Sequence, residues 1–584
     1  MAGIKQRFGC FLVESDWGDD AAAQNRNFAR LKPLLEDTVR YFLRTYRLQP
    51  SCFADYAEFY AKGGGEERLE PFIRLRIWKR DDDLTADYQA RYQTKSLPAA
   101  FFGISSMRDA YGRPTTTWMR EIATTSEGKT DEQILLHLYH EMGHLFMRTW
   151  LLRPGELPSW IEEGNAELFQ YRVGNGTRPE AERRERLGYL SEILSEGAAI
   201  PWLEFMRIGN LDSLDTTWKD PVRSQIQYLQ AWSVIEFMIA TPARQEAYLA
   251  FLELLKAEFA TATRTAAGKD LHDAVRQRVL DRQFALIQQA YGLDLATLEI
   301  QWKQWLRQTV HEQTLANPVI RYHRGDWHLS FRARLAATDA LHAAAIAKAE
   351  ALFQECVKVA PRMCEGWVGV GRVAMARSEE RTATTAFARA ISLDGNNFTA
   401  LLYEGVALLH TGQADRATVP LLKAVAQRPD HPEVNLFAGQ ALAVSGLDPA
   451  KALVCLRRTR DQSQDRLVPA SLLEGAVLYR TGKPQQAYIA WLRASNQAVD
   501  DPGPLLLMAM AKFAQGANDE AGAILDRVPK AAQGAVDRVR ALLTERAVGD
   551  KAPPIQFTRQ GWPTFACFVR TREAVPTNVT GSSR

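Results

Sequence analysis

The chain has 584 residues, 46% hydrophobic and 24% charged, with 72 Lys and Arg against 69 Asp and Glu for a formal net charge of +3. The length exceeds one domain and leaves room for about three, and the composition is that of an ordinary globular chain. So balanced a charge argues against a nucleic-acid role, which needs a basic face, and no apolar run reaches the roughly 18 residues of a membrane span.

The opening MAGIKQRFGCFLVESDWGDD lacks the apolar segment of a secretion signal. The cytoplasm is therefore the expected compartment by default, or the periplasm or exterior if a signal has been removed. Residues 8 to 13 read as a strand. Residues 21 to 46 read as a long helix, with Phe28, Leu31, Leu34, Leu35, Val39, Phe42 and Leu43 near helical spacing. Gly63 to Gly65 mark a loop. Pro71 to Trp78 alternates apolar residues with arginines, the pattern of a half-buried strand. Phe101 to Ile104 is a further short strand. Residues 115 to 124 suggest a strand that could form the sheet edge on which an extended peptide pairs.

A helix follows, with Thr130 and Gln133 as an expected capping box and Ile134, Leu135, Leu138, Met142, Leu145 and Phe146 on its apolar face. It carries His140-Glu141-Met142-Gly143-His144. Two histidines four apart lie on one helix face, so both imidazoles can reach one metal ion. Glu141 beside them is placed to take a proton from a water held there. Pro154, Gly155 and Pro158 mark a loop. Ser159 and Glu162 read as the capping box of a second helix, Ser-Trp-Ile-Glu-Glu-Gly-Asn-Ala-Glu-Leu-Phe-Gln, in which Glu163 follows His144 with 18 residues between them.

HExxH, 18 residues, then a Glu within W-x-x-E-G-x-A resembles the signature of the gluzincin metallopeptidases. The segment is most similar to the peptidase MA-like domains of bacterial proteins, with aminopeptidase N a more distant relative. The resemblance implies an α+β zincin-type domain, a small sheet plus helices, with His140, His144 and Glu163 holding Zn2+ and Glu141 as general base. The donor set agrees, because three protein ligands leave a fourth zinc position open. Glu167, one turn after Glu163, is a candidate partner for the outer N–H of a ligand histidine, against the plainer role of a solvated helix glutamate. His137 reads as packed or in the outer shell. Tyr228, 65 residues past Glu163 in Tyr-Leu-Gln-Ala-Trp-Ser, matches the place where the family sets an oxyanion-stabilising tyrosine; the plainer reading is a core tyrosine. The G-x-M-E-N segment of the aminopeptidases is missing, which argues against aminopeptidase activity.

Helices are expected at about 179–195, 221–240 (capped by Asp220), 243–260, 270–291 and 294–310, and the resemblance ends near residue 312. Residues 313–335 lose helical periodicity and read as a linker, with His311, His323 and His328 as surface or linker residues. Beyond it, Gly371, Gly405, Gly439 and Gly475 recur 34, 34 and 36 residues apart in similar frames. Ala383, Ala417 and Ala487, then Phe387, Leu421 and Trp491, recur with them. This resembles the tetratricopeptide repeat, whose small residues admit a neighbouring helix and whose large ones fill the groove. Of the six cysteines, Cys10, Cys52, Cys356, Cys364, Cys455 and Cys567, none forms a CxxC pair; the three in the repeat region read as buried thiols.

The peptidase-like domain is expected over 1–312, with a strand-rich region over 1–129, active-site helices over 130–172 and a helical region over 179–312. The linker 313–335, an all-α repeat solenoid over 336–540 and a tail over 541–584, in which Phe557 to Val569 pack back as strands, complete the chain. The function expected is hydrolysis of peptide bonds in a peptide or protein substrate, with the solenoid binding a protein partner. The alternative is an interaction scaffold whose zinc site hydrolyses nothing.

Overall fold

The computed structural model describes residues 4–8, 11–48, 73–92, 100–108, 114–126, 131–151, 157–172, 178–208, 221–265, 271–310, 315–429, 431–462, 467–499, 501–546, 556–557 and 563–564. The chain divides into two compact units, Met1–Val359 and Ala360–Arg584. The expected Gly63 loop, the caps at Thr130 and Asp220, the side chain of Gln133, the loop at Pro154, and Cys10, Cys52, His311 and Cys567 lie outside what is described.

The first unit opens with a hairpin. Strands β1 (Ile4–Phe8) and β2 (Phe11–Ser15) pair antiparallel, with Phe8 opposite Phe11. The single strand expected at 8–13 is therefore two. The first was hidden because Lys5, Gln6 and Arg7 give it a polar composition, which suits a sheet edge. Helix α1 (Ala21–Thr45) starts at Asp20, whose side chain accepts from the Ala23 amide at 2.7 Å. Strand β3 (Ile73–Trp78), helix α2 (Asp81–Tyr92), and strands β4 (Ala100–Arg108) and β5 (Pro114–Thr125) follow. The sheet order is β1-β2-β3-β5-β4. β3 is parallel to both β2 and β5, and β4 is antiparallel to β5. The strand expected at the edge, 115–124, is β5. It lies inside, because β3 and β4 occupy both its hydrogen-bonding sides, and the edge on that side is β4.

Helix α3 (Asp131–Leu151) lies against β4 and β5. Then come α4 (Ser159–Arg172), α5 (Arg178–Ser195), the single turn α6 (Trp202–Phe205), α7 (Pro221–Met238), α8 (Pro242–Thr265), α9 (Leu271–Tyr291) and α10 (Leu295–Thr309); all but the short α6 match helices expected there. Phe42 of α1 meets Phe146 of α3 and Phe169 of α4, with ring centroids 5.0 and 6.0 Å apart. Burying each such ring stabilises by about 1.5–3 kcal/mol.

The stretch expected as a linker is helical. Helix α11 (Pro318–Asp326) is capped by Asn317, whose side chain accepts from the Val319 amide, and runs into a π-helical turn over Trp327–Ala333. Trp327 is fully buried, and His328, expected at the surface, is buried against Glu192 with 2.8 Å between Nε2 and Oε2. Glu192 also accepts from Arg324 at 2.6 Å and pairs with Lys348 at 2.9 Å on α12 (Asp339–Val359). Burial alone would raise the Glu192 carboxyl, but His328, Lys348 and Arg324 outweigh it and hold it down at about 2.

The second unit is a succession of antiparallel helix pairs. They are α13 (Cys364–Ala376) with α14 (Glu380–Leu393), α15 (Phe398–His410) with α16 (Ala414–Gln427), α17 (Pro432–Ser445) with α18 (Pro449–Gln462), α19 (Val468–Arg480) with α20 (Pro484–Gln497), and α21 (Gly503–Phe513) with α22 (Asn518–Leu525). Helix α23 (Gln533–Arg546) and the small hairpin β6 (Gln556–Phe557) and β7 (Pro563–Thr564) follow. A Cβ added at Gly371 would stand 2.5 Å from Phe387, at Gly405 2.3 Å from Leu421, at Gly439 2.6 Å from Leu456, and at Gly475 2.2 Å from Trp491. Each glycine thus seats the large side chain of its partner helix. The repeating glycines and large residues read in the sequence are this contact, repeated pair by pair. Gly325 and Phe353 use it too, between α11 and α12. Cys356, Cys364 and Cys455 are buried free thiols.

Candidate metal centre

Three helices of the first unit, α3, α4 and α7, converge on one point. Their approach depends on two glycines. A Cβ at Gly143 would lie 2.7 Å from the Ala166 Cα of α4, and one at Gly164 would lie 2.6 Å from the Ala231 carbonyl oxygen of α7. Helix α4 is anchored by Asn165, fully buried. Its Oδ1 accepts from Tyr46, the residue that follows α1, and its Nδ2 donates to Tyr248 of α8 at 3.0 Å. Trp160 donates to Gln283 of α9 at 2.9 Å. The helix starts one residue earlier than its expected capping box, because the Pro158 carbonyl accepts from the amides of Ile161 and Glu162. Glu162 is buried and turned toward α3 instead of capping.

The convergence brings His140, His144 and Glu163 together, with the donor atoms of the three within 4.8 Å of one another. His140 Nε2 is 3.1 Å from His144 Nε2, and Glu163 Oε2 is 3.6 and 3.5 Å from them. Tetrahedral zinc with bonds of about 2.0–2.1 Å separates neighbouring donors by about 3.3–3.4 Å, so the triangle has the dimensions of a zinc face. Glu163 Oε2 is buried and accepts no hydrogen bond among the described residues. Two imidazoles and a carboxylate with an unmatched buried oxygen fit a divalent cation.

The electrostatics agree. Burial alone would lower the His140 pKa, but the carboxylates of Glu163, Glu167 and Glu141 outweigh it and raise it to about 9. The site thus favours a positive charge. Glu141 is half-buried beside the histidines; burial raises its carboxyl above the usual range, against the pull of His144 and His140. The Tyr228 ring of α7 stands 6.5 Å from the His140 ring, centroid to centroid.

The outer contacts differ from the expectation. Gln170 Oε1 is 3.2 Å from His140 Nδ1, while Glu167 Oε1 is 3.6 Å away and its other oxygen accepts from Arg186 at 2.6 Å. Gln170 is therefore the hydrogen-bond partner, and Glu167 is held by Arg186. On the other histidine, Glu162 Oε1 faces His144 Nδ1 at 3.5 Å and accepts from Arg148. Burial would raise the Glu162 carboxyl, but Arg148 and His144 bring it to about 2. Gln170 follows Glu163 by two helical turns, on the same face, the one sequence signal that pointed to it.

No family model matches the sequence, and no curated protein is similar to it. Among solved structures, the chain is similar to the pilF protein of Pseudomonas aeruginosa, at 16% identity over 38% of this chain and 99% of that one, with a TM-score of 0.31. It is also similar to YrrB, described as a TPR protein with an unusual peptide-binding site, at 16% identity over 35% and 96%, with a TM-score of 0.30. Human IFIT1 shares 13% identity over 62% and 74%, with a TM-score of 0.28. Scores this low carry no argument, and the repeat architecture rests on the helix pairing itself. No described helix is long and apolar enough to cross a membrane.

Proposed function

We propose that the protein is a zinc-dependent peptidase of gluzincin type whose helix-pair unit binds a protein segment. The observation that supports it most is the donor triangle of His140, His144 and Glu163, with the half-buried Glu141 beside it. Zinc bound there supplies a Lewis acid for the peptide carbonyl and lowers the pKa of water. Glu141 takes the proton of the attacking water on its carboxylate as the water oxygen bonds to the carbonyl carbon. It returns that proton to the amine nitrogen as the C–N bond breaks. Tyr228 donates its hydroxyl hydrogen to the former carbonyl oxygen. Gln170 and Glu162 orient the two imidazoles from behind.

A second reading is a repeat scaffold that hydrolyses nothing. The pairs from α13 to α22 favour it, since stacked helix pairs present an extended surface for a peptide or protein partner. Glu141→Gln distinguishes the two. On a mixed peptide library, the zinc-loaded full chain should cleave, and the variant should keep its zinc and lose about 10²- to 10⁴-fold in rate. A wild type that carries zinc and cleaves nothing would leave the scaffold reading standing.

A further inference from the structure

Helix α7 satisfies several of its buried polar side chains. Gln230 donates to the Ile200 carbonyl at 2.7 Å and accepts from the Ile200 amide at 2.9 Å. Ser233 accepts from Trp302, and Glu236 from Tyr171 at 2.7 Å. Ser224 Oγ and Trp232 Nε1 have no partner among the described residues, and Gln227 is left with both ends of its amide unpartnered. It is 2% exposed, and neither its Oε1 nor its Nε2 has a hydrogen-bond partner among the described residues. Leaving both ends of a buried amide unpaired costs several times what a net hydrogen bond contributes, so the position calls for an explanation.

Gln227 lines a small cavity of about 10 Å³, shared with Trp160, Phe205, Ile208 and Glu163. That is about the room one water requires. The remaining walls are largely apolar, and the carboxylate that reaches the cavity is the one whose Oε2 completes the donor triangle. Tyr228, the next residue, has its ring 6.5 Å from that of His140, so this turn of α7 borders the centre.

We propose that Gln227 is a positioning residue for the metal ligand Glu163. Its Nε2–H donates to one water in the cavity, and that water donates to the Glu163 carboxylate, fixing its rotation so that Oε2 points at the histidine nitrogens. The proposal rests on the zinc reading above. Gln227 itself touches neither metal nor substrate. It acts on affinity through Glu163, as outer contacts of metal ligands do.

The test is a zinc titration of the full chain against a chromophoric chelator, comparing the wild type with Gln227→Met, which keeps length and removes both polar atoms. Zinc affinity should fall about 10- to 100-fold. The visible absorption of the Co2+-loaded variant should differ from that of the wild type, and the metal-free variant should still melt cooperatively. A variant whose zinc affinity stays within about twofold of the wild type overturns the role, whatever its melting temperature. So does a variant that fails to fold, since that outcome makes the amide structural. A wild type that binds no zinc overturns the metal reading itself, an outcome the variant alone could not produce.

Discussion

Gly143, between the two histidines, is the position where a single methyl group should disturb the centre most. In an unobstructed helix, Gly→Ala stabilises by about 1 kcal/mol. Here the new Cβ would stand 2.7 Å from the Ala166 Cα and 3.2 Å from the Phe169 Cβ, and the first of these is backbone that cannot rotate aside. To reach ordinary contact, α3 and α4 must move apart by roughly 0.7 Å. Overpacking of this kind costs about 1–3 kcal/mol, so the net loss of stability is about 1 kcal/mol. The same movement draws Glu163 away from His140 and His144. Separations of 3.5 and 3.6 Å open toward about 4 Å, past the edge of a zinc tetrahedron. Zinc affinity should fall at least about tenfold, or 1.4 kcal/mol. Chelator competition and thermal melts with and without zinc measure both quantities. Gly522 of α22 is the control, because a Cβ there meets nothing within 4 Å, and Gly522→Ala should be neutral or stabilising. If Gly143→Ala binds zinc like the wild type and melts at or above it, the reasoning from helix approach is wrong.

Other substitutions probe the rest of the fold. Glu192→Leu removes the anion that Arg324, His328 and Lys348 share and should destabilise by about 2–4 kcal/mol in thermal melts near neutral pH. The Glu192 pKa is lowered in the fold to about 2, so its contribution is present above the unfolded value near 4.5 and lost as pH falls through about 2. The difference between variant and wild type should therefore shrink across that window, and a difference that grows on acidification would contradict the pairing. Gly475→Ala drives a methyl into Trp491 and should cost about 1–2 kcal/mol net. Trp491→Leu in the same chain should recover some of it, read as a coupling of about 0.5–3 kcal/mol in a denaturant double-mutant cycle.

What was legible in the sequence was whatever a single element or a fixed repeat carries. His140 and His144 share a face because helices have about 3.6 residues per turn, whereas Glu163 was joined to them only by the resemblance to the gluzincin signature. The glycines at 371, 405 and 475 could be matched with Phe387, Leu421 and Trp491 because each repeat states the same contact again. What was not legible depends on how elements rotate and cross. Glu162 had the spacing of a cap, but the turn of α4 carries it to Arg148 and His144. Gln170 displaces Glu167 at His140 by a few tenths of an ångström, a difference no spacing rule resolves. β5 is interior because the chain returns through β3 and β4, a long-range pairing. Trp327 and His328 lost helical periodicity in a π-helical turn, and the partner of His328, Glu192, lies 136 residues away.

The most direct measurement of the central claim is the metal content of the purified full chain after exposure to zinc and dialysis, set beside His144→Ala and Glu163→Ala. About one zinc per chain is expected in the wild type, lost in both variants, with circular dichroism showing that the helices persist. Equal zinc in all three proteins, or none in the wild type, would contradict the assignment of His140, His144 and Glu163 as its ligands.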